Sequence, residues 1–463
     1  MSDPFRDYIL DQLAGVYAGR KWLLCSDVLA GLTGTVADLA SLGATDVFCL
    51  ALSPGTGNLP ETPHALLGRE RAETLMDSVR QALHGLAHVS DDVRKQVDAW
   101  DPQGEARSIG PVWDDGAPVA GRPKFAERLA HWQALEDKTI IDPIWDKIGV
   151  ARAPSSIVPL DDAQTTTRSL DWGSGVVWVG DNRDGWHGGA ELLRWVRTER
   201  EANEAATFLG QHCDQVRVMP FLEGIPCSIH GIVMSGGIVA VRPCEMIVLR
   251  KPGSSTLQYA RAGTFWDPPP AQRQVMIDAA RQTGTYLRDV QGYRGVFTID
   301  GVMTRRGFLP TELNPRFGGA LATVARGTRL PLLLLHLAIV DGLELPAAEL
   351  EHQLVAAADA HRYASGMAMI GHAVEPRQAH LQLVGQEASD PNAWTFVDED
   401  DSDAEISLGP SGLGGYLNIN LNPDTTPTGP SSAPRIAGIL MHLDAAWDLG
   451  LGPLAPAEEA HLD

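Results

Sequence analysis

Gly292-Tyr293-Arg294-Gly295-Val296-Phe297-Thr298-Ile299-Asp300-Gly301 and, a few residues on, Gly307-Phe308-Leu309-Pro310-Thr311-Glu312-Leu313-Asn314-Pro315-Arg316 read as two short strands joined by a turn. The first ends on a carboxylate. Side chains alternate faces along a strand, so Glu312, Asn314 and Arg316 share one face, and Asp300 on the neighbouring strand can join them. Two carboxylates and an amide oxygen suit a hard cation such as Mg²⁺, which is bound by one or two carboxylates plus substrate phosphates. Arg316 is placed at the rim to fork onto a carboxylate or phosphate. An ordinary polar hairpin edge has no need of an acid, an amide and an arginine on one parity beside a second acid.

Upstream, strands and helices alternate. Lys21 to Asp27 is a short apolar strand, Gly34 to Leu42 a helix, and Val47 to Leu52 a second buried strand. This order predicts a parallel α/β unit. The loop from Ser53 to Asn58 lies where open α/β sheets place ligands, but it lacks dinucleotide spacing and reads as a plain turn. Arg69 to Leu86 reads as a helix, and Asp101 to Pro123 as a Pro/Gly-rich connection. Phe125 to Ile148 is mostly helical, with Pro143 expected to interrupt it. Gly149 to Pro154 stops that helix and turns into an extended segment.

Gly175 to Gly180 is another strand. The turn after it, from Asp181 to Gly189, contains Arg183, Gly185, Gly188 and Gly189 and is expected to open into a helix from about Ala190. Such a turn offers backbone N–H groups to an anion, although without Gly-Lys-Ser/Thr it fits a structural role equally well. Pro220-Phe221-Leu222-Glu223-Gly224 precedes a hairpin formed by Cys227 to Met234 and Ile238 to Arg242. Arg242, Glu245 and Arg250 mark the next strand and either bind an anionic substrate or form a solvated ion-pair face. Ala271 to Val290 is one long helix, and Leu330 to Val340 a buried one. From Leu381 the pattern is less regular. The acidic run from Asp398 to Glu405 reads as a solvated loop, Gly409 to Gly429 as turns or a capping loop, and Arg435 to Leu449 as a closing helix.

The chain has 463 residues, enough for about three domains. A net charge of −22 argues against a general nucleic-acid binder and requires a locally basic pocket for any anionic substrate. Two windows supply one. Arg242 to Ala262 carries Arg242, Arg250, Lys251 and Arg261 against Glu245 alone, and Gly301 to Arg329 carries five arginines against Glu312 alone. The five cysteines are scattered, which fits reduced core thiols in a cytoplasmic protein. The start shows no signal-peptide pattern, and the longest apolar run contains Pro331 and His336 and is too short for a bilayer.

The Asp300, Glu312-x-Asn314 pattern resembles the metal-binding signature of the ATP-grasp superfamily, and Glu312-Leu313-Asn314-Pro315-Arg316 resembles the form found in its carboxylate-amine ligases. With a Rossmann-like front and a distinct C-terminal extension, the phrases Pro220 to Cys227 and Gly180 to Arg183 resemble the pheganomycin-type peptide ligases among them. The resemblance implies an α/β chain with an α+β core. A Rossmann-like domain (1–124) would precede a two-lobed ATP-grasp core (125–215 and 216–350) and a smaller C-terminal domain (351–463). It implies ATP and Mg²⁺, with Asp300, Glu312 and Asn314 as metal ligands and Lys138 on the phosphates. The loop with Arg183, Gly185, Gly188 and Gly189 would close over them, and Pro220, Phe221, Leu222 and Glu223 would form the adenine hinge. Arg242, Glu245, Arg250 and Arg316 would serve the acid substrate, with Arg316, Lys138 and Arg242 assisting the chemistry. Two features depart from the pattern: no second lysine lies between Lys147 and Lys251, where Arg183 is the candidate substitute, and Cys227 stands where a ribose-binding acid is usual.

The implied reaction joins a small-molecule carboxylate to an amine or peptide through an acyl phosphate, in the cytoplasm, without nucleic acid or membrane; a homodimer is compatible with it. The alternatives are a non-catalytic nucleotide-binding regulator, prompted by the two departures, and a carboxylase-type enzyme.

Overall fold

In the computed structural model, which describes residues 4–111 and 116–458, the two strands of the opening motif pair antiparallel as Gly295–Thr304 and Gly307–Asn314. They form one side of a six-stranded sheet. Its order runs Leu257–Gly263, Cys244–Arg250, Ile225–Met234, Gly295–Thr304, Gly307–Asn314, with Gly237–Ala240 also pairing on Ile225–Met234. The helix Pro270–Gln291 covers one face, burying Met276, Ala280 and Leu287 against Ile229, Phe297 and Ile299. The short helix Ile141–Ile148 joins this core. The stretch read as mostly helical is interrupted between Glu136 and Ile141, and Pro143 falls in the first turn of the helix that follows, where a missing N–H goes unnoticed.

At the N-terminal end, His64–Leu66, Asp46–Ser53, Lys21–Val28 and Arg107–Ile109 form a parallel sheet in that order. Trp22, Leu23, Leu24 and Val47 through Leu52 are buried without alternation, as expected for strands covered on both faces. The helix expected from Arg69 begins at Leu75, because Thr74 and Asp77 form a capping box that fixes its start.

A four-stranded sheet, ordered Ser156–Pro159, Gln215–Pro220, Val176–Gly180, Leu193–Val196, carries the glycine-rich turn between its last two strands. The turn therefore joins two strands and does not open a helix at Ala190, which itself takes a left-handed φ of 60°. The helix starts at Glu199, where Thr198 and Glu201 supply a capping box that Gly188 and Gly189 cannot.

The C-terminal part is more regular than its composition suggests. Ser365–Ile370, Gly414–Leu421, Ala404–Ser411, Arg377–Leu383 and Trp394–Val397 make a five-stranded antiparallel sheet, packed on the helix Ala433–Trp447. The supposed turn region after Gly409 is thus a hairpin arm in which Leu417, Ile419 and Leu421 are buried while Tyr416, Asn418 and Asn420 stay half-exposed. A bridge from Gly263 to Ala364 carries this sheet on from the six-stranded one. No single described helix is long and apolar enough to cross a membrane.

Candidate active site

The site is built where the metal-motif hairpin meets the neighbouring strand. Asp300 pairs with Glu312 on one side and Ser228 on the other, and the register shifts between Asp300 and Gly301. Asn314 Nδ2 donates to Asp300 Oδ2 at 2.9 Å, and Ser228 Oγ donates to Asp300 Oδ1. Arg316 Nη2 donates to Asn314 Oδ1 at 3.1 Å. Burial, reinforced by the charge of Glu312, pushes the Asp300 carboxyl up to about 7. Glu312 in turn meets Lys138, whose Nζ lies 3.1 Å from Oε1.

Among the described residues, no three His, Cys, Asp or Glu side chains converge into a self-contained metal cage. Asp300, Glu312 and Asn314 offer instead two crowded carboxylates and an amide. This is the partial shell Mg²⁺ takes when phosphates and water complete it, so the residues fit that ion.

Lys138 and Glu312 line a largely apolar cavity together with Val177, Met219, Phe221, Leu222, Met246 and Val248. Pro220 and Arg250 also line it. Phe221 stacks on Trp195 with centroids 4.0 Å apart, and Arg250 covers both rings while forking onto Glu223. A largely apolar cavity with a few charged groups on its lining suits a heteroaromatic base whose polar tail leads towards Glu312. Cys227 is fully buried on the paired strand and lines none of this cavity.

Three features of this region were not read from the sequence. Arg217, opposite Val179, also lines the cavity, with its guanidinium forked onto Asp142 at 2.9 and 2.6 Å. Glu136 accepts from Arg316, Arg128 and Trp186, and although burial would raise its carboxyl, Arg316 and Arg128 hold it below the usual range. The carboxyl-terminal segment closes one wall. Arg250 and Ala455 exchange backbone bonds of 2.7 and 2.9 Å, and Ala457 lines the cavity. Alternation and spacing carry no signal for such contacts across hundreds of residues.

The glycine-rich turn packs on the helix Leu75–Ala87. Arg80 forks onto Glu191 at 3.1 and 2.9 Å, and Trp186 Nε1 donates to Glu136 at 2.6 Å. Gly188 lies against the Trp186 ring, where a Cβ would come within 3.2 Å, and Gly189 lies over Leu75. Gly185 takes φ +99° at the apex. His187 is buried in this turn, and burial first, then Lys138, lower its pKa.

Three expected site residues lie elsewhere. Arg183 is turned outward onto Asp184, Asp214 and the Gln211 carbonyl, so it does not replace a second lysine in the cavity. Arg242 is fully buried, and Asp359, Asp267 and the Thr264 carbonyl consume its donors. Glu245, also fully buried, accepts from Ser431 Oγ and Ser432 N, and burial pushes it up to about 7. Both tie neighbouring elements together, and neither lines the apolar cavity.

This arrangement of sheets is the ATP-grasp fold. The L-amino acid ligase from Bacillus licheniformis superimposes with a TM-score of 0.50 at 12% identity, over 87% of this chain and 94% of that one. The biotin carboxylase domain of Hydrogenobacter thermophilus 2-oxoglutarate carboxylase, solved with MgADP, ADP and bicarbonate, superimposes with 0.50 at 11%, over 95% and 91%. No family model and no curated protein sequence matches the chain. At these identities the likeness concerns the fold, and the expected α/β class with an α+β core agrees with it.

Proposed function

We propose that the chain is an ATP-dependent carboxylate-amine ligase that forms a peptide bond through an acyl phosphate, releasing ADP and phosphate. The observation that carries this reading is the Lys138–Glu312 pair, which joins an apolar, aromatic-walled cavity to the Asp300–Asn314–Arg316 cluster. A base held between hinge and sheet would direct its phosphates at Lys138, freeing that ammonium from Glu312 to contact them. Mg²⁺, when held by Asp300, Glu312 and Asn314, supplies neutralising charge to the phosphates. Arg316, held in orientation by Glu136, is placed to bind the acid substrate's carboxylate and then the oxyanion formed when an amine attacks. The glycine-rich turn, latched by Arg80 and Trp186, would keep water from the acyl phosphate. Lys138 supports phosphate binding, whereas Arg217, forked onto Asp142 and donating to the Thr311 carbonyl, has its donors engaged within the protein.

The test is mass spectrometry of products after pooled amino acids and short peptides are offered with Mg-ATP, alongside ADP release. New amide products that require both an acid and an amine support the reading. ATP binding without turnover across the panel favours a regulator, and carbon dioxide-dependent ADP release favours a carboxylase. Glu312→Gln is expected to fold and to release no ADP.

A further inference from the structure

Three arginines around the six-stranded sheet, Arg217 and Arg242 buried and Arg261 half-buried, are treated differently. Arg217 has Asp142, and Arg242 has Asp359 and Asp267. Arg261 has no carboxylate partner among the described residues. It donates to the Tyr416 hydroxyl, its carbon lies 5.9 Å from that ring's centroid, and its buried Nε meets no acceptor.

The backbone is distorted to put it there. Val248 pairs with Tyr259 and Met246 with Ala262, so Ala260 and Arg261 together oppose the single residue Ile247. This is a β-bulge, and Arg261 takes φ +91°, a region that side chains other than glycine avoid. Such strain persists only where surrounding structure enforces it, and it concentrates at ligand sites. The bulge turns Arg261 away from its own strand and towards the half-exposed face of Gly414–Leu421. On that face Tyr416 and Asn418 pair with Met369 and Met367, also half-exposed.

The position is close to the reacting end of the site. Tyr259 lies on the same strand as Leu257, which lines the nucleotide cavity. Its hydroxyl would come 3.7 Å from a Cβ on Gly319, the first residue of the helix that follows Arg316 by two residues. The other charged groups nearby are engaged: Arg326 donates to the Tyr363 hydroxyl, Tyr363 to Asn420, and Asn420 to Glu405. A half-buried guanidinium with an unpartnered Nε, beside phenols, amides and two methionines, has the chemistry to receive a small ligand bearing a carboxylate and an apolar side chain.

We infer that Arg261 anchors the carboxylate of the amine substrate, an amino acid or short peptide, against the face carrying Tyr416, Asn418, Met367 and Met369. This rests on the ligase reading. It gives the C-terminal sheet the task of holding the attacking amine while Arg316 holds the acid.

The test compares the wild type with Arg261→Lys and Arg261→Gly, using a panel of free amino acids and dipeptides and their carboxyl-amidated counterparts. The first readout is the shift in melting temperature on adding each ligand, which needs no turnover. Wild type is expected to be stabilised by free carboxylates and not by amides, and both variants are expected to lose that difference. Arg261→Gly relieves the positive φ and is expected to melt no lower than wild type without ligand. In turnover, Arg261→Lys should raise the KM of a free-carboxylate amine about tenfold, corresponding to one lost charge-assisted bond. It should leave the KM of its amide and of ATP unchanged. Equal shifts for acids and amides, no shift with any acid, or carboxylate selectivity that survives in Arg261→Gly would each overturn the assignment. If the wild type turns over no acid–amine pair, the ligase reading fails, while the melting comparison still decides whether Arg261 binds a carboxylate.

Discussion

Arg316 Nε sits 3.1 Å from both carboxylate oxygens of Glu136, a residue 180 positions earlier in the chain. The same carboxylate receives Arg128 and the Trp186 indole, so one buried acid fixes an arginine of the metal motif, a second arginine and the glycine-rich turn. Removing its charge would leave two guanidinium groups facing each other in the interior. Glu136→Gln is therefore expected to lose about 3 kcal/mol of stability in urea denaturation, the penalty typical of a broken buried pair. Its kcat for ADP release should fall while the KM for ATP changes little. An unchanged kcat would mean that Arg316 does not depend on Glu136 for its position.

Lys138 is held against Glu312 on the lining of the cavity. Lys138→Met should weaken ATP binding about tenfold and cut ADP release at saturation by about a hundredfold, the range for losing one donor aimed at developing charge. Calorimetry and a coupled ADP assay separate the two effects. Wild-type turnover in this variant would remove Lys138 from the reaction.

Phe221 lines the cavity and is backed by Trp195 in a stacked pair. Phe221→Leu keeps apolar volume and loses the ring. ADP affinity, measured by titration calorimetry, should weaken about fivefold, in line with about 1 kcal/mol for an aromatic pair, while turnover at saturating ATP stays near wild type.

His336 is buried, accepts from the Val296 amide at Nδ1, and has its pKa lowered by burial to about 3. Its folded value lies below the unfolded value of about 6.5, so below that pH the unfolded chain takes up a proton that the folded one refuses. Stability from this residue is present above pH 6.5 and is lost as pH falls. Between pH 7 and pH 5 the wild type should lose about 2 kcal/mol relative to His336→Asn, which retains an acceptor but cannot titrate. Parallel pH profiles for the two proteins would show that His336 is not held neutral.

The sequence showed the metal-motif hairpin clearly because its chemistry follows strand parity. Asp300, Glu312 and Asn314 fall together as the alternation of side chains requires. The parallel N-terminal sheet was equally legible, since strands buried on both faces are uninterrupted apolar runs. Arg242 and Glu245 misled because a charged residue near a basic window reads the same whether it meets solvent, substrate or a partner more than a hundred residues away. The C-terminal sheet was hidden by its glycines and asparagines, although every second residue from Leu417 to Leu421 is apolar and buried. Glu136 and Arg217 gave no local signal, and Arg261 showed only as one cation of a basic window. Their meaning lies in the partners that tertiary folding brings to them, or, for Arg261, in the partner it withholds.

The pairing of Ala455 with Arg250, and the place of Ala457 in the cavity wall, have a consequence for synthesis. A chain released before these residues would have its hinge, lysine and hairpin in place, yet its cavity would lie open on one flank. On the proposed function, such a fragment would sequester little ATP.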